Sequence, residues 1–264
     1  MAIGIITGSG GHDLLGFSQS GVIQAETPFG SVPLRRGTLG GADVLHVSRH
    51  GEGHQLLSSG VNHRANIWAL KEAGATAVLA ATVCGAVDAS LALGSLVVFD
   101  DLHFLANRLP DGSLCTFFDR PGDPARGHWI LHGGPFSDVV RSALLDACVG
   151  VSVRDGGCYG HVDGPRFNTP TEIRQLAGAG VVAVSQTAGP EVVLCGELEL
   201  PYGLIGFITD HANEVVPGAT TPVAKLLELM AASPRVLAGV LERAAVRLAG
   251  QTVQPAGFMY RFES

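Results

Sequence analysis

The stretch Ala75–Val83, ATAVLAATV, is almost wholly apolar, and it follows directly on Gly74. Just before it, Ala65, Ile67, Trp68 and Leu70 fall on one side of a helix expected over Asn62–Ala73, which Gly74 is placed to end. A strand that is apolar on both faces needs cover on both faces, and helices alternating with strands supply it. This one unit constrains the chain to an α/β fold.

The alternation continues in both directions. Ala2–Thr7 reads as a buried first strand delivering the glycine loop Gly8-Ser9-Gly10-Gly11. Residues 17–47 carry short β-like runs broken by Pro28, Gly30, Pro33 and Gly40-Gly41, the pattern of hairpins, with Asp43–Ser48 a strand leading to Arg49. Further strands are expected at Leu96–Phe99, Gly157–Val162, Val181–Val184 and Tyr202–Ile208. Helices are expected from a Ser137 cap to Val149, from the Thr169-Pro170-Thr171-Glu172 capping box to about Gly178, and over Pro190–Glu199. Two closing helices, Pro222–Ala231 and Pro234–Leu248, are expected, the second capped by Ser233. The expected architecture is a single-domain αβα sandwich over residues 1–264 around a central mixed β-sheet, with no internal repeat or linker. The irregular segment 103–134 is long for a compact domain, and such loops usually serve a site or a partner.

With a formal charge of −7 and no long basic run, the chain has no electrostatic footprint for nucleic acid. No apolar run approaches the length of a membrane span, and the opening residues lack the basic region of a signal peptide, so a cytoplasmic protein is expected. The five cysteines are scattered without a C-x-x-C pair and read as reduced. The ten histidines show no ligand spacing with carboxylates or cysteines, so no metal is expected. A charged fraction of 16% is low for a soluble monomer, which points to apolar surface covered by a like subunit.

Ser9, Arg49, Thr82, Thr187 and Asp210 each stand at or beyond the end of an expected strand, so their side chains can converge on one rim of the sheet. Ligands of α/β proteins bind at that rim, where helix N-termini and unpaired amides face an anion. Gly8-Ser9-Gly10, Arg49-His50, Asn66-Ile67-Trp68-Ala69-Leu70-Lys71-Glu72, Thr82-Val83-Cys84-Gly85, Gly164-Pro165-Arg166-Phe167 and Pro190-Glu191-Val192 occur in this order. In order and spacing they resemble the trimeric purine nucleoside phosphorylase family, and most of all its methylthioadenosine phosphorylase branch.

The resemblance implies reversible phosphorolysis in a homotrimer or dimer of trimers. Inorganic phosphate would be the co-substrate, and no cofactor is implied. It assigns phosphate binding to Ser9, Arg49, His50, Thr82, Val83 and Thr187. It assigns nucleoside contacts to Phe167, Gln186, Asp210 and Ala212, with Asp210 the acid beside the departing base. Two positions leave the family pattern. Ala212 stands where the branch has a second base-side acid, and Gln186 stands where the family has methionine against the ribose. Asp210 and Asn168 also differ from the asparagine and glutamate of 6-oxopurine enzymes. The default substrate is therefore 5′-methylthioadenosine or another 5′-modified 6-aminopurine nucleoside. A 6-oxopurine or otherwise altered nucleoside stays open, as does an inactive nucleoside-binding protein. The 103–134 segment, with His128, Trp129 and His132, and the apolar residues near Val215–Val223 are the candidates for the 5′ end of the sugar.

Overall fold

In the computed structural model, which describes residues 1–9, 11, 13–123, 125–216 and 220–262, strands and helices alternate through most of the chain. The strands are β1 (Ala2–Thr7), β2 (Ser18–Thr27), β3 (Gly30–Leu39), β4 (Ala42–Ser48), β5 (Ala75–Ala86), β6 (Leu96–Val98) and β7 (Asp101–His103). They continue with β8 (Gly127–Ile130), β9 (Val153–Asp155), β10 (Cys158–His161), β11 (Val181–Ser185), β12 (Tyr202–His211) and β13 (Phe258–Arg261). The helices are α1 (His63–Glu72), α2 (Asp138–Ala147), α3 (Pro170–Gly178), α4 (Ala188–Glu197) and α5 (Val223–Leu248).

The sheet is mixed. β1 pairs in parallel with β4 and β5, and β5 in parallel with β12, while the β2–β3 and β3–β4 hairpins and the β5–β11 contact are antiparallel. One face packs on α2 and α5, where Ile3, Ile5, Leu79 and Phe207 meet Val140, Leu144, Leu237 and Leu241. The other face packs on α1 and α4 through Ile67, Leu70, Val192 and Leu194. Each layer hides the apolar face of its neighbour, as the Ala75–Val83 run requires.

Asn62, read as the first residue of the helix, is the residue that caps α1, accepting from the Ala65 N–H at 3.1 Å. The Thr169–Glu172 capping box is complete, each residue's side chain taking the other's backbone N–H. Other expectations are corrected. Ser137 does stand before α2, but its hydroxyl donates to the Gln254 carbonyl instead of capping the helix. α4 starts at Ala188, two residues before Pro190, because a proline at the third helical position gives up an N–H that has no intrahelical acceptor anyway. β12 runs on through Asp210 and His211, and β13, pairing with β8, was not anticipated.

The two closing helices are one. Pro234 lies inside α5 and lacks the N–H that would bond the Met230 carbonyl, but the buried Ser233 hydroxyl donates to that carbonyl at 3.0 Å. The residue read as a cap repairs the break. Ser233→Ala is expected to orphan the carbonyl and cost about 1–3 kcal/mol. A urea midpoint unchanged from wild type would refute this role.

Candidate active site

One side of β5 is occupied by β12 from Val78 to Ala86. The other side changes partner: β1 runs alongside only as far as Ala80, and β11 joins at Gly85 and Ala86. Between them the edge from Ala81 to Cys84 has no strand neighbour on that side. A break of this kind in an α/β sheet opens a crevice for a ligand. Strand alternation turns the Ala81 carbonyl and the Val83 N–H toward the opening.

A cavity of about 270 Å³ fills the break, lined among others by Ser9, His50, Thr82, Val83, Phe167, Gln186, Thr187, Asp210 and Ala212. Nine of the ten residues singled out from the sequence therefore meet in one space. Gly10, the last residue of the Gly8-Ser9-Gly10 motif, lies outside the described residues.

The tenth, Arg49, is a correction in geometry. It does not line the cavity but lies fully buried behind it, with Nε donating to Glu191 Oε1 at 2.6 Å and Nη2 to Oε2 at 3.0 Å. Nη1 donates to the Ala81 carbonyl at 2.8 Å, taking the acceptor that the break in the sheet leaves open. Tyr202 donates to Glu191 Oε2 at 2.8 Å and completes the network. Burial works to lower the Arg49 pKa, but the Glu191 carboxylate outweighs it, so the guanidinium stays charged. Gly8 lies directly over this cation, since a Cβ there would come within 2.6 Å of Nη1. The glycine at this point lets the loop cross the guanidinium.

The hydrogen-bond donors that line the cavity near Arg49 are therefore largely neutral. The Thr82 and Ser185 hydroxyls lie 2.8 Å apart, and Thr187, which lines the same cavity, is the N-cap residue of α4, whose first helical N–H, that of Ala188, donates to the Tyr159 hydroxyl. A helix N-terminus carries partial positive charge and free N–H groups, which favour an anion. His50 bonds the Leu56 carbonyl through Nδ1 at 2.9 Å and stacks on His54 at 4.3 Å. Burial, then the charge of Arg49, lowers its pKa to about 4, so the ring is neutral at physiological pH. A carbonyl only accepts, so Nδ1 carries the hydrogen and Nε2 presents a lone pair.

At the other end, a bulge between Ile208 and Asp210 sets Asp210 opposite Gly85 and turns its carboxyl into the cavity. Burial raises the Asp210 pKa, partly offset by a 2.8 Å hydrogen bond donated by Thr209. Ala212 packs with Val87, Ile173 and Val184 in a small apolar cluster, so the wall beside Asp210 offers no second acid. Phe167 is 67% exposed and borders the cavity, a large ring with a face left for a ligand to cover.

None of the described residues expected at the 5′ end, in 103–134 or near Val215–Val223, lines the cavity. His128 and Trp129 lie on β8 against β13 instead, and Trp129 donates to the Ala256 carbonyl at 2.9 Å. In the segment near Val215–Val223, Pro217, Gly218 and Ala219 lie outside the described residues. The apolar far wall is made by Leu226 and Met230 of α5. Sequence reading missed these two, together with Ser58, Ser185 and Asn213. Only Ser185 carried a signal, ending a strand directly before Gln186-Thr187.

The family model of the Phosphorylase superfamily matches residues 2–244. The chain is 33% identical to the S-methyl-5′-thioadenosine phosphorylase of Ciona intestinalis, over 96% of this chain and 91% of that one. It is also 33% identical to the probable 6-oxopurine nucleoside phosphorylase of Thermococcus kodakarensis, over 87% and 86%. Among solved structures, the methylthioadenosine phosphorylase of Schistosoma mansoni in complex with tubercidin superposes with a TM-score of 0.82 at 29% identity, covering 95% of this chain and 92% of that one. The sheet broken beside β5, the cavity in the break and these similarities agree, and the chain belongs to the Phosphorylase superfamily, among its purine nucleoside phosphorylases.

Proposed function

We propose that the chain phosphorolyses a purine nucleoside, with 5′-methylthioadenosine or another 5′-modified 6-aminopurine nucleoside as the default substrate. One observation carries this reading: a carboxyl group with a raised pKa, Asp210, shares a cavity with the hydroxyls of Ser9, Thr82 and Thr187 and the N-terminus of α4. The first is suited to a departing base, the others to an attacking anion. A phosphate oxygen attacks C1′ as the bond from C1′ to the base nitrogen breaks. The bonding pair goes to the purine, Asp210 gives or shares a proton at its five-membered ring, and the products are free base and ribose 1-phosphate. His50 Nε2, as an acceptor, suits a phosphate oxygen that still bears a proton. Arg49 acts from behind the Gly8 loop through its field, largely balanced by Glu191. Phosphate is a co-substrate, and the reaction needs no cofactor.

Leu226 and Met230 favour an apolar 5′ substituent. The apolar surroundings of Ala212 favour a second reading, a 6-oxopurine nucleoside, because an exocyclic amino group finds no carboxylate besides Asp210 among the described lining residues. Exposed apolar side chains such as Leu105, at 85%, support association with like subunits, for which the expected state is a homotrimer, and the expected compartment is the cytoplasm. Among the described residues no helix is long and apolar enough to cross a membrane.

Base release is expected to depend on phosphate, followed across methylthioadenosine, methylthioinosine, adenosine, inosine and guanosine. An equal rate in phosphate-free buffer would overturn phosphorolysis, and binding without turnover at saturating phosphate would leave a binding protein. Preference for the inosine forms would select the second reading.

A further inference from the structure

The pairing of β5 with β11 stops at Gly85, and beyond that point the two strands stay joined through side chains. Ser185, the last residue of β11, and Thr82 both line the cavity, and their hydroxyl oxygens lie 2.8 Å apart. Either of them could be the donor. A hydroxyl has one proton and two lone pairs, so a chain of hydroxyls can run in either direction. If Thr82 donates to Ser185, it turns a lone pair toward the cavity and repels an anion. If it accepts, it keeps its own proton for the anion.

The direction is set behind the cavity wall. Tyr159 of β10 is fully buried, its ring held edge-on against Phe99 at 5.2 Å. Its oxygen accepts the Ala188 N–H, the first of α4, at 3.2 Å, and Ser185 is its other hydrogen-bond partner. Burial raises the pKa of this phenol above its ordinary value, so the phenol keeps its proton. An amide N–H only donates, which leaves Ser185 as the acceptor of that proton. Among the described residues the Ser185 hydroxyl has Thr82 as its remaining partner, and its own proton goes there. The Thr82 proton is then left to the Val83 carbonyl, 3.2 Å away, or to an anion in the cavity.

We propose that Tyr159 and Ser185 are positioning residues, which fix the polarity of a hydroxyl chain from Tyr159 through Ser185 to Thr82 so that Thr82 meets the bound anion as a donor. This rests on the phosphate reading above. The partial positive charge of the α4 N-terminus enters the chain at Ala188, and each bond polarises the next. The helix thus acts on the anion through three side chains, although its first N–H is already spent on the protein.

The test is calorimetric titration with inorganic phosphate, which needs no turnover. Wild type, Ser185→Ala, Ser185→Thr and Tyr159→Phe are compared, each with Thr82 intact and with Thr82→Val. With Thr82 intact, Ser185→Ala and Tyr159→Phe are each expected to weaken phosphate binding roughly three- to tenfold, the usual worth of one hydrogen bond. Ser185→Thr keeps the hydroxyl and is expected to stay within about twofold of wild type. With Thr82→Val the same substitutions are expected to change affinity by less than about twofold, because the group they orient is gone. The two serine variants carry the test alone if Tyr159→Phe, which unpairs the buried Ala188 N–H, fails to fold.

Equal losses with and without the Thr82 hydroxyl, in a protein that binds phosphate, would overturn the positioning role and leave the proposed function standing. So would full phosphate affinity in Ser185→Ala. Failure of wild type to bind phosphate would overturn both readings together.

Discussion

Glu191→Ala is expected to destabilise the protein by about 3–5 kcal/mol, the usual result of removing one partner from a buried ion pair. Glu191 and Arg49 are each 1% exposed, and the carboxylate receives Nε and Nη2 of Arg49 and the Tyr202 hydroxyl. Without it, a charged guanidinium stays in the interior with only the Ala81 carbonyl as a hydrogen-bond partner, and Tyr202 loses its acceptor. For a chain of this size the loss corresponds to a fall in Tm on the order of 10 °C. The double variant Arg49→Met with Glu191→Leu removes both charges and is expected to recover most of that stability. It also separates two roles of the arginine. If its field helps to hold the anion, the double variant melts close to wild type yet binds phosphate more weakly. Melting curves of the three proteins, with phosphate titrations, decide the matter, and a Glu191→Ala protein within about 1 kcal/mol of wild type would refute the network's importance.

The same pair marks where the sequence was and was not legible. The α1–β5 unit could be read because its signals are local: a helical stripe, a closing glycine and an apolar run. The capping box of α3 could be read for the same reason. That Ser9, Thr82, Thr187 and Asp210 share one rim followed from their places at strand ends. Arg49 and Glu191, by contrast, are 142 residues apart, and nothing near either of them announces the partner. An arginine after a strand therefore reads as a free cation, although it lies beneath the site and spends three N–H groups on the protein. The bulge at Asp210 and the break beside β5 are also long-range, arising from which strands β5 meets along its length. Pro234 misled for the opposite reason. Its local meaning, a helix stop, is sound, but the neighbouring Ser233 hydroxyl supplies the bond the proline cannot. The hydrogen bonds that hold the Gln186 amide needed coordinates too, because its partners Ser58 and Arg166 come from two separate loops.

Asp210→Asn is expected to lower kcat on 6-aminopurine nucleosides by roughly 10²- to 10⁴-fold, the contribution a positioned acid usually makes. An asparagine keeps the shape and offers a hydrogen bond, but it has no proton to pass to the departing purine. The loss is expected to be smaller for inosine, whose exocyclic carbonyl oxygen and neighbouring ring nitrogen N7 can both accept from an amide N–H. Burial raises the Asp210 pKa, which fixes two further signs. In wild type the acid form is lost as pH climbs through that raised value, so kcat falls on the alkaline side, and the Asn variant lacks this limb. The folded state also binds this proton more tightly than the unfolded chain does. The group therefore supports folding fully below the unfolded carboxyl value of about 3.9, and that support disappears as pH rises through the folded value. Above the folded value the ionised carboxylate is a burden that asparagine lacks, so at such pH the variant is expected to melt at or above the wild-type temperature while turning over far more slowly. A slow and unstable variant would point to a structural role for Asp210. A stable one with undiminished kcat and an unchanged alkaline limb would remove Asp210 from the chemistry altogether.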